Sequence, residues 1–450
     1  MEVSLMEMLE AREKRATRQA RLLERHGKTL LCFTMNIAGP VKNSPLIRRG
    51  FALGRRLLEQ QLMAVKAPVV YTEAYDENTG CEAFYVLDCD ALTAKRAAVT
   101  VEDHAQAGRL FDMDVLSAQG QKISRQALNL EGRKCLICGG PAAVCARSRA
   151  HGVAELQERT CAQLKAALEG YDARRIARLA CQALLHEVAV TPKPGLVDRN
   201  NNGSHGDMDF FSFQASAAAL WPYFETCARL GMETKDCSAV EVFRRLRGPG
   251  MLAEGEMLRA AGGVNTHKGA VFSLGLVCAA LGRLGWESAQ RPEELLEECA
   301  RMTAGLTERD FSGLTENNAR THGETLFLRY GITGVRGQAE AGFPAVLQAG
   351  LPKLEAGLAR GLSMNEASCA ALLALLAAVT DTNLIIRGGY ESQRRIAAET
   401  AALLRENPFP EEALLKRMDA EFMEKNLSPG GTADLLALTL FLHLIKEDGP

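Results

Sequence analysis

From residue 174 onward, nearly every segment of this 450-residue chain repeats its Ala and Leu positions at helical spacing, with Gly, Pro and Asn between segments. A period near 3.6 gathers the apolar side chains of a segment onto one stripe, which must be buried against another element. Strand signals are few there, so this part is expected to be all-α. Earlier in the chain the texture is mixed. Residues 12–26 and 45–65 have helical period, 29–35 is an apolar run, and 69–75, 83–87, 97–102 and 110–115 read as strand-like. Asp76-Glu77-Asn78-Thr79-Gly80 reads as a hairpin turn. The N-terminal part is therefore expected to be α+β. So long a chain exceeds one ordinary core, and a Gly-centred polar break at 168–172 suggests domains at 1–168 and 172–450.

A formal net charge of −2 offers no whole-chain argument for nucleic-acid or membrane binding. The charged start of the chain does not read as a secretory signal. The longest apolar run, 367–380, is shorter than the roughly 20 residues that cross a bilayer and reads as a buried helix. Thirteen cysteines scattered among apolar neighbours fit reduced thiols in the cytoplasm better than disulfides.

Two Gly-rich loops each run into an apolar helix. One contains Gly263, Asn265, Thr266, His267, Lys268 and Gly269; the other contains Ser428, Gly430, Gly431 and Asp434. Glycine lets the backbone approach a ligand closely, and a helix N-terminus offers free N–H groups to an anion. His267 and Lys268 add proton-transfer capacity and charge where a polyphosphate would sit. Neither loop has P-loop spacing. Further polar residues fall in loops: Lys193 and Asp198 in a Pro-rich turn, His205, Asp207 and Asp209 just after it, and Asp381, Asn383 and Arg387 following the long apolar helix. The aspartates offer metal binding or proton transfer; Asp207 is also placed to cap the helix that starts near residue 210. His186, His322 and His443 belong to no constellation and read as structural.

In the N-terminal part, Asp112 and Asp114 lie two apart in an apolar run. On a strand they would share a face, which suits Mg²⁺ held by carboxylates and substrate phosphates; an exposed strand face is the alternative. Arg109 could neutralise a phosphate. Lys42 closes a turn that by itself says little. Cys135, Cys138, Cys145 and His151 supply four soft ligands, though not at the spacing of a common zinc module; buried free thiols are the alternative. Arg133, Arg147 and Arg149 in the same stretch suit phosphate or partner contacts.

With these residues in view, positions 174–442 resemble triphosphoribosyl-dephospho-CoA synthase, through the five ordered motifs at 192–198, 203–209, 265–269, 381–383 and 428–434. Positions 34–156 resemble the apo-citrate lyase phosphoribosyl-dephospho-CoA transferase, through 36–42, 108–115 and the 135–151 Cys/Arg/His stretch. The resemblance implies two linked reactions. ATP and 3′-dephospho-CoA give a triphosphoribosyl-dephospho-CoA and adenine; the product is then transferred to a serine of the apo acyl carrier subunit of citrate lyase, with pyrophosphate released. By analogy with nucleotidyl transfer, a nucleotidyltransferase-like N-terminal fold and Mg²⁺ are expected. The malonate decarboxylase carrier, and an N-terminal domain that only binds the carrier, are the alternatives. Two positions depart from the pattern: Ala38 replaces a usual proline, and Gln338 stands where a glutamate is expected, leaving Glu340 as the nearest acid to take its place.

Overall fold

The computed structural model describes residues 2–449 and divides into two compact units that meet in sequence at Tyr171 and Asp172. The first is an α/β region around a small sheet. Strands β1 (Thr29–Met35), β2 (Val69–Glu77), β3 (Gly80–Leu87), β4 (Phe111–Leu116) and β5 (Lys122–Ile123) form one sheet in the order β2-β3-β1-β4-β5. Every pairing is antiparallel. Alternation along the strands decides its two faces. Leu31 and Phe33, Ala83 and Tyr85, and Phe111, Met113 and Val115 point into a core with helices α2 (Pro45–Ala64) and α3 (Ala91–His104). Leu30, Cys32, Phe84 and Val86 face the other way and bury Leu22 of helix α1 (Leu5–His26). Ser4 and Glu7 close α1 with a reciprocal capping box.

Residues 97–102 are a correction: they belong to α3, not to a strand. Asp90 caps this helix by accepting from the Thr93 N–H at 2.9 Å. The buried face that includes Ala94, Ala97, Ala98 and Val101 then outweighs the β-branched preference of Val99, Thr100 and Val101. The polar stretch at 168–172 is likewise no loop. Short helix α4 (Ala142–Ser148) is followed by α5 (Val153–Ala189), a 37-residue helix that runs straight through Gly170.

The second unit is mostly helical. Three apolar helices, Lys268–Leu284, Met364–Ala378 and Gly430–Glu447, contribute long runs of buried residues to its main core. No single helix among the described residues is long and apolar enough to cross a membrane. All thirteen cysteines are free thiols.

Candidate active sites

Helices Lys268–Leu284, Thr382–Gly388 and Gly430–Glu447 present their N-termini to one cavity of about 840 Å³ in the second unit. Asn265, Thr266, His267, Lys268, Gly269, Asp381, Asn383, Arg387, Gly430, Gly431 and Asp434 line it, together with Lys193 and His205. Five separated loops are thus brought to one place. Two glycines are there because nothing larger fits. A Cβ on Gly269 would lie 2.1 Å from Asp434 Oδ2, and one on Gly430 would lie 2.3 Å from Asn383 Nδ2.

His267 is buried and stands edge-on to Phe213. Its Nδ1 lies 2.7 Å from Ser216 Oγ, which accepts from Thr266 Oγ1 at 2.8 Å. That chain directs the Ser216 proton to Nδ1 and leaves the other ring nitrogen, Nε2, buried without a partner. Burial, and then the charge of Lys193, push its pKa down to about 3, so the ring is neutral at physiological pH. Lys193 is itself buried in an ion pair with Glu187 on α5. Burial raises the Glu187 carboxyl while Lys193 draws it back. Asp434 is pushed well above the usual carboxylate range, first by burial and then by the charges of Glu187 and Asp381; the Ala270 N–H opposes the shift.

Other predicted residues hold the loops in shape. Asp381 Oδ1 accepts from the N–H groups of Asn383 and Leu384, and Oδ2 from the backbone and hydroxyl of Thr432. It is a brace between two helix starts rather than an open metal ligand. Asp198, expected to be catalytic, is a second brace: Thr191 Oγ1, Lys193 N, Asn200 N and Asn201 N all donate to it, and it does not reach the cavity wall. Asp209, not Asp207, caps helix Phe210–Ala219, accepting from Ser212 N at 2.8 Å. Asp207 is exposed, 3.8 Å from His205 Nδ1, and neither aspartate lines the cavity. Gly263 is a turn residue with φ +94° and also lies off the wall. Arg387 binds Ser204 O at 2.7 Å and Asn426 Oδ1 at 2.9 Å while donating to His205 Nδ1 at 3.2 Å. Lys268 is half-exposed and pairs with Glu254 at 3.0 Å.

Glu187, Ser216 and His322 belong to the wall or its hydrogen bonds and were not expected. Glu187 sits within a helix with no flanking motif, and His322 lies far in sequence from the glycine loops. Gln338 lines the cavity with its buried Oε1 unpaired. Glu340 does not replace it. Its carboxylate accepts from Gly305 N at 2.7 Å and Thr307 N at 3.1 Å and anchors helix Leu306–Phe311.

In the first unit, Asp112 and Asp114 do share a face of β4. Asp112 Oδ1 is 3.3 Å from Arg133 and Asp114 Oδ2 is 2.7 Å from Lys122. Arg133 also donates to the carbonyls of Gly108, Arg109 and Phe111. The Nε and Nη1 of Arg109 are buried without partners, and burial, then Arg133, lower its pKa. A buried guanidinium with unmet donors is suited to a phosphate, and two carboxylates on one strand face are suited to a cation. Lys42 donates to Ile37 O at 2.6 Å and closes its own turn; burial lowers its pKa. Arg147 and Arg149 are exposed on and just after α4.

Residues 173–450 match the CitG family model, ATP:dephospho-CoA triphosphoribosyl transferase, and residues 3–167 match CitX, apo-citrate lyase phosphoribosyl-dephospho-CoA transferase. Protein CitXG of Haemophilus influenzae is 36% identical over 98% of this chain and 96% of its own length. The chain belongs to the CitXG family. The CitXG protein of Leuconostoc mesenteroides is 33% identical over 98% of this chain and 97% of its own. A 2-(5″-triphosphoribosyl)-3′-dephosphocoenzyme-A synthase of Haemophilus ducreyi is 39% identical over 68% of this chain and 98% of its own. Membership in CitXG makes the chain a transferase and ties it to synthesis and attachment of the citrate lyase prosthetic group.

Proposed function

We propose that the cavity of the second unit joins ATP to 3′-dephospho-CoA. The 2′-hydroxyl of the CoA ribose attacks C1″ of the ATP ribose; the C1″–O bond forms as the bond from C1″ to adenine breaks, and adenine takes up a proton. The observation that carries this reading is the convergence of anion-accepting helix starts with raised-pKa acids in one cavity. The N-termini at Lys268 and Gly430, with the Lys268 ammonium, suit the triphosphate. Asp434 suits the base, because a carboxyl raised toward neutrality accepts a proton more effectively than an ordinary one. His267 Nε2 supplies a neutral hydrogen-bonding group near the reacting sugar.

The product then passes to the first unit, where a carrier serine attacks the α-phosphate and pyrophosphate leaves. Arg109, whose Nε and Nη1 have no partner in the fold, suits the leaving pyrophosphate. Asp112 and Asp114 fit Mg²⁺, being hard oxygen donors on one strand face, and the ion would add charge stabilisation at the phosphate. Asp381 and Asp434 do not fit it as a pair, since Asp381 has no oxygen left uncommitted. The likeness of this step to nucleotidyl transfer supports the nucleotidyltransferase analogy for the first unit.

Purified protein supplied with ATP and 3′-dephospho-CoA should release adenine, and Asp434→Asn should slow that release at least tenfold with substrate affinity little changed. Unimpaired release by this variant removes Asp434 as base. Adding apo-carriers of citrate lyase and malonate decarboxylase in parallel separates the two pathways by which one is loaded.

A further inference from the structure

No residue from 116 to 159 is buried. Yet this stretch holds a defined path of turns and a short helix rather than an extended tail, and so small a piece without a core usually needs a staple. Cys135, Cys138, Cys145 and His151 converge at its centre, their ligand atoms all within 4.8 Å of one another. We propose that these four residues form a structural Zn²⁺ site that holds Arg133 against the strand bearing Asp112.

Local geometry carries each ligand to the point. The Cys135-Leu136-Ile137-Cys138-Gly139-Gly140 segment folds back on itself: Gly139 N donates to Cys135 O at 3.2 Å and Cys135 N to Gly140 O at 2.6 Å, with Gly139 at φ +72°. The next turn starts α4, which delivers Cys145 so that its Sγ lies 3.5 Å from that of Cys138. Arg149 ends α4 in the left-handed region at φ +48°, and Ala150 N returns to Cys145 O at 3.1 Å, which brings in His151.

The ligand chemistry selects the ion. Three thiolates and an imidazole are a soft set that suits zinc over magnesium or calcium. A tetrahedron with Zn–S of about 2.3 Å places sulfurs about 3.8 Å apart, close to the spacing already present. The Nε2 of His151 is buried with no hydrogen-bond partner. Its Nδ1 lies on the side of Glu155, 3.8 Å from Oε2.

The consequence for the transferase site runs through two residues of backbone. Arg133 immediately precedes this loop; its carbonyl accepts from Ala142 N at 2.9 Å, and Lys134 bridges to Pro141. Its guanidinium reaches three carbonyls at the start of β4 and the Asp112 carboxylate. Arg133 is thus a positioning residue whose place depends on the staple.

Full-length protein purified under reducing conditions with zinc in the growth medium should contain one zinc per chain by elemental analysis. Replacement by Co²⁺ should give the intense visible bands of a tetrahedral thiolate site. Cys138→Ser should lower the zinc content, and chelated wild-type protein should expose three additional reactive thiols, lose most carrier loading and retain adenine release. Zinc restored to the chelated protein should restore loading. Metal-free protein that gives no cobalt spectrum, or a Cys138–Cys145 disulfide in the active enzyme, overturns the site. Zinc removal that leaves loading unchanged overturns the link to Arg133.

Discussion

Asp434 rests against Gly269, so that a single added methyl group would meet its Oδ2 at 2.1 Å. The contact ties the start of helix Lys268–Leu284 to that of helix Gly430–Glu447 on the cavity wall. Gly269→Ala must displace either the carboxylate or a helix start. Adenine release should fall at least tenfold, at a stability cost of about 1–3 kcal/mol. Steady-state kinetics paired with denaturant unfolding checks both numbers; unchanged kinetics would show that the carboxylate has no fixed role.

The raised Asp434 carboxyl also predicts a pH signature. Between the unfolded value of about 4 and the higher folded value, the folded state binds more protons than the unfolded one. Stability on this account is full below about pH 4 and is lost as pH rises through the folded pKa. Asp434→Asn should therefore flatten the decline with rising pH. Melting curves of both proteins from acid to neutral pH test it; parallel curves would assign the decline elsewhere.

Lys268 is half-exposed and bound to Glu254, a kind of pair worth about 0–1 kcal/mol to the fold. Lys268→Ala should therefore hardly alter the melting temperature. If the ammonium binds the triphosphate, its loss costs about 1.5–3 kcal/mol and weakens ATP binding roughly 10- to 200-fold. An ATP titration of adenine release decides it. Unchanged kinetics would make Lys268 a partner of Glu254 alone.

Asp112→Asn should stop carrier loading while triphosphoribosyl-dephospho-CoA accumulates, since the change leaves the second unit untouched. It also deprives Arg133 of its carboxylate partner. Mass spectrometry of the carrier and of the small-molecule product distinguishes the outcomes. Normal loading would reduce the first unit to carrier binding or reassign its metal site.

Local signals were legible where chemistry acts over a few residues. The helical period of the second unit, the hairpin at 76–80 and the shared face of Asp112 and Asp114 all follow from spacing along the chain. The loops at 265–269 and 428–434 announce helix starts, but only folding shows that both open on one cavity. Asp198 and Asp381 illustrate what sequence hides: an aspartate in a polar loop looks the same whether it faces a substrate or accepts four hydrogen bonds from its neighbours. Glu187 is hidden for the opposite reason. Its importance comes from Lys193, with which it forms a buried pair after an intervening turn, and no local pattern marks it.

Glu340 is committed to the first turn of helix Leu306–Phe311, whereas Gln338 has no competing bond. In the same stretch of the cavity wall, Arg336 is held by Asp310, while the Oε1 of Gln338 is left without a partner. Glutamine and glutamate are separated by a single nucleotide change and almost no change in volume. A glutamate at this position would therefore add one negative charge to the wall while Glu340 keeps its bonds to helix Leu306–Phe311.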